Sequence, residues 1–142
     1  MELVASKTSR PIRVLLVEDN PGDVILIREV FKSSKRPIEV SRAADGLEAL
    51  DYLKGRGAFQ DAPRPDLILL DLNMPKKSGF EVLEEIKSDP KLSEIPVVVL
   101  TNSKLDTDVG QAYESNANFY MVKPSDLERL FVALRYVEDT WL

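Results

Sequence analysis

Pro65-Asp66-Leu67-Ile68-Leu69-Leu70-Asp71-Leu72-Asn73-Met74-Pro75 is the stretch on which the fold turns. Leu67 to Leu70 is an unbroken apolar run between a Pro-Asp turn signal and an aspartate, too short for a buried helix and without the alternation of a half-wet strand. A strand of a parallel sheet covered by helices on both faces reads this way. Val14 to Val17, ending at Glu18-Asp19, and Val97 to Leu100, ending at Thr101, have the same character. Two weaker blocks, Glu39 to Arg42 and Phe119 to Val122, complete a set of five.

Segments of helical spacing separate these strands. Their apolar stripes are Val24, Ile27, Val30 and Phe31; Leu47, Leu50 and Leu53; Phe80, Leu83 and Ile86; Leu105, Val109, Ala112 and Tyr113; and Leu127, Leu130, Phe131, Leu134 and Trp141. Strand and helix alternating five times imply right-handed crossovers, so the expected fold is α/β and doubly wound, a (βα)5 chain around a five-stranded parallel sheet. The longest expected loop is Gly55 to Pro65.

At 142 residues one hydrophobic core is normal. The expected organisation is a flexible segment over residues 1–11 and one domain over 12–142, with the chain beyond Lys123 spent on the last helix and no output domain. Hydrophobic residues at 44% and charged residues at 30% suit a packed soluble protein. A net charge of -5 argues against a nucleic-acid binder, which needs a basic face. The chain has no cysteine and no histidine, which excludes disulfides, thiolate or imidazole metal sites, Ser-His and Cys-His catalysis, and any phosphohistidine of its own. No apolar leader or membrane-length run occurs, so a cytoplasmic protein without membrane contact is expected.

In an open doubly wound sheet, ligands bind beyond the carboxyl ends of the strands, where strand order reverses. The first strand ends in Glu18-Asp19, the third in Asp71, the fourth in Thr101, and the fifth runs into Lys123-Pro124. Each alone has an ordinary structural reading as cap, loop or surface residue. Their coincidence at four strand ends gives them chemical weight. Three close carboxylates stay ionised together only around a cation, and Mg2+ takes one or two carboxylates while keeping waters and phosphate oxygens. Lys123 and Thr101 suit the equatorial oxygens of a transferring phosphoryl group, with a carboxylate as nucleophile on phosphorus.

Leu15-Leu16-Val17-Glu18-Asp19-Asn20, Pro65 to Pro75 with Gly79 after it, Val98-Val99-Leu100-Thr101 and Tyr120-Met121-Val122-Lys123-Pro124 together resemble CheY-like receiver domains of response regulators. The resemblance covers nearly the whole chain. It implies a flavodoxin-like three-layer sandwich in which Asp71 is the phosphoacceptor and Glu18, Asp19, Asp71 and the Asn73 backbone carbonyl hold Mg2+. It also implies that Thr101 and Lys123 act on the phosphoryl group, that Thr101 and Tyr120 form the switch, and that the donor is a histidine kinase. Such a domain catalyses only its own phosphorylation and dephosphorylation. Asp19-Asn20-Pro21-Gly22-Asp23, the Gly55 to Pro65 loop, Asp89-Pro90 before Ile95-Pro96, and the end at Trp141 are similar to the small regulators paired with cyanobacterial and bacterial phytochrome kinases.

A haloacid-dehalogenase-like phosphoaspartate hydrolase would carry a second aspartate as general acid where this chain has Asn73. A nucleotide-binding protein would need a Walker A loop or G-x-G-x-x-G, which the six glycines do not form. A degenerate receiver acting as a phosphorylation-independent scaffold is the remaining alternative, and the complete set of site residues speaks against it. Output is expected through protein contact. Val132 and Tyr136 lie off the last stripe, with Trp141 at its end, either as the core edge or as a surface for a downstream protein or a second copy of the chain.

Overall fold

The computed structural model describes residues 10–72, 74, 77–101, 117–124 and 126–142. The elements are β1 (Ile12–Val17), α1 (Pro21–Lys32), β2 (Ile38–Ala43), α2 (Gly46–Lys54), a 3-10 turn (Gly57–Phe59), β3 (Leu67–Leu70), α3 (Gly79–Ser88), β4 (Val97–Thr101), β5 (Phe119–Val122) and α4 (Leu127–Trp141). All five expected strands form and pair in parallel, in the order β2-β1-β3-β4-β5. The expected helix carrying Leu105, Val109, Ala112 and Tyr113 lies outside the described residues.

Successive side chains of a strand point to opposite faces, and this splits the core into two layers. Leu15, Val17, Ile68, Leu70, Val97 and Val99 pack with α2 and α3 on one face. Val14, Leu16, Leu67, Leu69, Val98 and Leu100 pack with α1 and α4 on the other. Leu67 to Leu70 is fully buried, which is the physical reason for its unbroken apolar run.

The stripe of α1 is buried as expected, but two others are rotated. Leu47 is exposed, and α2 instead buries Ala49, Leu50 and Tyr52. Leu127 and Phe131 are exposed, and α4 buries Leu130, Leu134 and Val137 together with Glu138. Both helices are apolar on either flank of the true stripe, so only the angle at which each lies on the sheet decides which flank is covered.

Side-chain caps start the helices close behind the strand ends. Asn20 accepts from Gly22 N and Asp23 N ahead of Pro21 in the first turn of α1, Asp45 caps α2, and Ser78 and Glu81 form a reciprocal capping box on α3. From β1 the chain passes to β2 on one side, then returns to lay β3 on the other. A crevice therefore opens between the carboxyl ends of β1 and β3.

Candidate functional site

Val17 pairs with Leu70, so Glu18 and Asp71 leave the sheet side by side. Asp71 N donates to Val17 O at 3.0 Å and Glu18 N to Ala43 O at 3.0 Å, which carries the ladder one residue past the strand ends. Gly79 packs on this turn, with its N donating to Leu72 O at 3.0 Å. A Cβ at Gly79 would overlap Asp71 O and stand 2.5 Å from Leu72 Cα, so only glycine lets α3 begin against the backbone that carries Asp71. Asn20 N donates to Glu18 Oε2 at 3.2 Å. Arg42 reaches over from β2, donating from Nε to Glu18 O at 3.1 Å and from Nη2 to Asp19 O at 3.0 Å.

These constraints bring one oxygen each of Glu18, Asp19 and Asp71 within 4.8 Å of one another. Glu18 is 1% and Asp71 7% exposed, while Asp19 faces solvent. Lys123, just past β5, sends its buried side chain across the sheet end. Its Nζ lies 2.5 Å from Glu18 Oε1, 2.8 Å from Asp23 Oδ2 and 3.6 Å from Asp71 Oδ2. These side chains, with Asn20 and Pro21, line a cleft of about 290 Å³. A larger hollow of about 580 Å³ between α2 and α3 is open and surface-lying, and Lys54 and Lys77 both pair with Glu85 there, at 3.5 and 2.6 Å.

Burial pushes the Glu18 carboxyl up, the hydrogen bond from Lys123 pulls it back, and the Asp71 charge raises it again; the balance is a pKa of about 7. Burial works against the charge of Lys123, but hydrogen bonds to Asp23 and Glu18 outweigh it and hold the ammonium above its ordinary range. One ammonium thus faces three carboxylates. The ligand atoms that the acidic trio offers are all oxygens, gathered within 4.8 Å, and Asp19 leaves one side open to water. That set fits a hard divalent cation that keeps part of its hydration shell.

Of the expected site residues, Glu18, Asp19, Asp71 and Lys123 are brought together. Asn73 and the side chain of Thr101 lie outside the described residues; the Thr101 backbone ends β4 in register with Val122. Tyr120 is buried in the layer of α2 and α3. Val132 is 67% and Tyr136 50% exposed. Trp141 is half-buried, and its ring and that of Tyr136 each pack at a centroid distance of 5.5 Å against Phe119. Asp23 and Arg42 are site residues to which sequence reasoning assigned no role. An acid in the first turn of a helix is ordinary on dipole grounds, and an arginine on a strand is ordinary at a surface, so neither stood out.

Fold and site together define a doubly wound α/β domain with a carboxylate and ammonium crevice at its switch point. Residues 14–135 match the response regulator receiver domain family, and the chain belongs to it. It is 45% identical to response regulator Rcp1 of Synechocystis sp. over 139 residues, 98% of this chain and 95% of Rcp1. It is similar to the phosphorylated cyanobacterial phytochrome response regulator RcpA, with a TM-score of 0.89 at 47% identity over 93% of this chain and 94% of that one. It is similar also to the Mn2+-bound form of Rcp1, with a TM-score of 0.87 at 47% identity over 93% and 95% of the two chains. The family match favours neither the hydrolase nor the scaffold alternative. Among the described residues no helix is long and apolar enough to cross a membrane.

Proposed function

We propose that this receiver takes a phosphoryl group from a histidine kinase onto Asp71, assisted by Mg2+ held by Glu18, Asp19, Asp71 and the backbone carbonyl of Asn73. The observation that carries the proposal is the meeting of the Glu18, Asp19 and Asp71 oxygens within 4.8 Å, with Lys123 Nζ in the same crevice. An Asp71 carboxylate oxygen attacks the phosphorus of the donor phosphoimidazole. The P–N bond breaks with its electron pair passing to the imidazole, and an acyl phosphate remains on Asp71. The cation, when bound, neutralises charge on the acids and on the phosphoryl oxygens. Lys123 donates to a phosphoryl oxygen from its place beside Asp71, and the Thr101 hydroxyl donates to another.

In this reading residues 12–142 are the receiver unit, and its catalysis is confined to its own phosphorylation and dephosphorylation in the cytoplasm. A phytochrome-type kinase is the donor, supported by the likeness to RcpA, itself a phytochrome response regulator. Thr101 and Tyr120 pass the change to the face of β5 and α4, where Val132, Tyr136 and Trp141 meet a downstream protein or a second copy, with a coupling of roughly 1–3 kcal/mol. Intact mass after incubation with Mg2+ and a small phosphodonor tests the core of the proposal. Wild type gains one phosphoryl group and Asp71→Asn none; equal gain in both would end the reading.

A further inference from the structure

Among the described residues, Asp23 is the one carboxylate lining the cleft that stands outside the cation-holding trio. It sits in the first turn of α1, where its backbone N donates to the Asn20 cap at 3.2 Å. Its Oδ2 accepts from Lys123 Nζ at 2.8 Å, and Lys123 is the cation paired with it among the described residues. Lys123 is thus shared between Asp23 and Glu18, with the Asp71 carboxylate farther off at 3.6 Å.

We propose that Asp23 is a positioning residue that competes with the phosphoryl group for Lys123 and so sets how readily Asp71 becomes occupied. The inference rests on the reading of Asp71 and Lys123 given above. An ammonium has three N–H donors, and two of them point at Glu18 and Asp23. A cation bound by Glu18 takes over the neutralisation of that carboxylate, which leaves Asp23 as the rival that a phosphoryl oxygen must displace. Asp23 is carried on the capped first turn of α1, so its backbone stays in place when Lys123 turns toward Asp71. Its charge also repels an incoming phosphoryl dianion. Both effects oppose occupancy of Asp71, but only the first passes through Lys123, and this separates them experimentally. A merely structural role predicts a weaker fold with no gain in affinity, because a first-turn acid stabilises the helix start and its loss does nothing to free Lys123.

Beryllofluoride affinity at saturating Mg2+, followed by amide NMR titration, tests this in wild type, Asp23→Asn, Lys123→Ala and the double variant. Asp23→Asn should bind roughly three- to tenfold tighter than wild type, as for a part-buried charge pair. Its melting temperature should be no higher, and in the Lys123→Ala background the gain should shrink below about twofold. Asp23→Ala, carried alongside, should move in the same direction, so that a folding failure of one variant leaves the other to decide. Unchanged or weaker binding in the Asp23 variants overturns the inference, and so does a gain that persists in full without Lys123, which would assign it to repulsion alone. Asp71→Asn is the control for the underlying reading. If wild type takes up no beryllofluoride, or Asp71→Asn takes it up equally, the phosphoacceptor role falls and this inference with it; if wild type binds and Asp71→Asn does not, any failure belongs to Asp23.

Discussion

Glu18 carries the sharpest conflict in the molecule: a carboxylate 1% exposed, beside Asp71, holding an ammonium that Asp23 also claims. Burial and Asp71 lift its pKa from 4.5 to about 7 despite the hydrogen bond from Lys123. Below about pH 4.5 folded and unfolded chains both hold this proton, and the group contributes nothing to pH dependence. Above that the unfolded chain releases it first, so the folded state binds more protons and stability falls as pH rises, levelling off beyond about 7. The metal-free protein should therefore lose on the order of 3 kcal/mol from this group across the window. Urea midpoints in EDTA between about pH 5 and 8 check it: Glu18→Gln should flatten the decline, and an equal decline in that variant would place the titrating group elsewhere. The acid itself was legible in the sequence, as the residue closing an apolar strand. Its partner Asp23 was not, because the two meet only through a lysine just past the end of a distant strand.

The contact that places Asp71 is between elements, α3 seated on the end of β3 through Gly79. Gly79→Ala should cost about 1–3 kcal/mol of stability by overpacking, and by shifting the Asp71 turn it should weaken Mg2+ binding as well. Ser78→Ala, which removes the cap of the same helix, should cost about 1 kcal/mol and leave Mg2+ affinity unchanged. Chemical denaturation together with a Mg2+ titration separates the two. If Gly79→Ala keeps wild-type metal affinity, close packing is not what positions Asp71. Strands were the most legible elements, since burial on both faces writes itself as an unbroken apolar run, as in Leu67 to Leu70. The rotations of α2 and α4 were less so. Leu47 and Phe131 are as apolar as Leu50 and Leu134, and nothing local says which of them the sheet covers.

For the whole molecule, cation binding and folding are linked, because the trio is assembled from two strand ends far apart in the chain and exists only in the folded state. A ligand at a hundred times its Kd adds about 2.7 kcal/mol to stability, so Mg2+ should raise the melting temperature. Asp19→Ala should lose most of that rise while being at least as stable as wild type in EDTA, since carboxylate repulsion is relieved. A thermal scan with and without Mg2+ decides it, and an undiminished rise in Asp19→Ala would put the cation elsewhere. The sequence by itself determined the doubly wound class and the acids and lysine at the strand ends, because strand burial and strand termination are local and leave local marks. Only the tertiary structure decided that Glu18 and Asp71 emerge as neighbours, that Lys123 is shared with Asp23, that Arg42 holds the backbone of Glu18 and Asp19, and which flank of each helix is dry. Those facts depend on register, strand order and packing angle, which arise between segments distant in the chain and are written in no one of them.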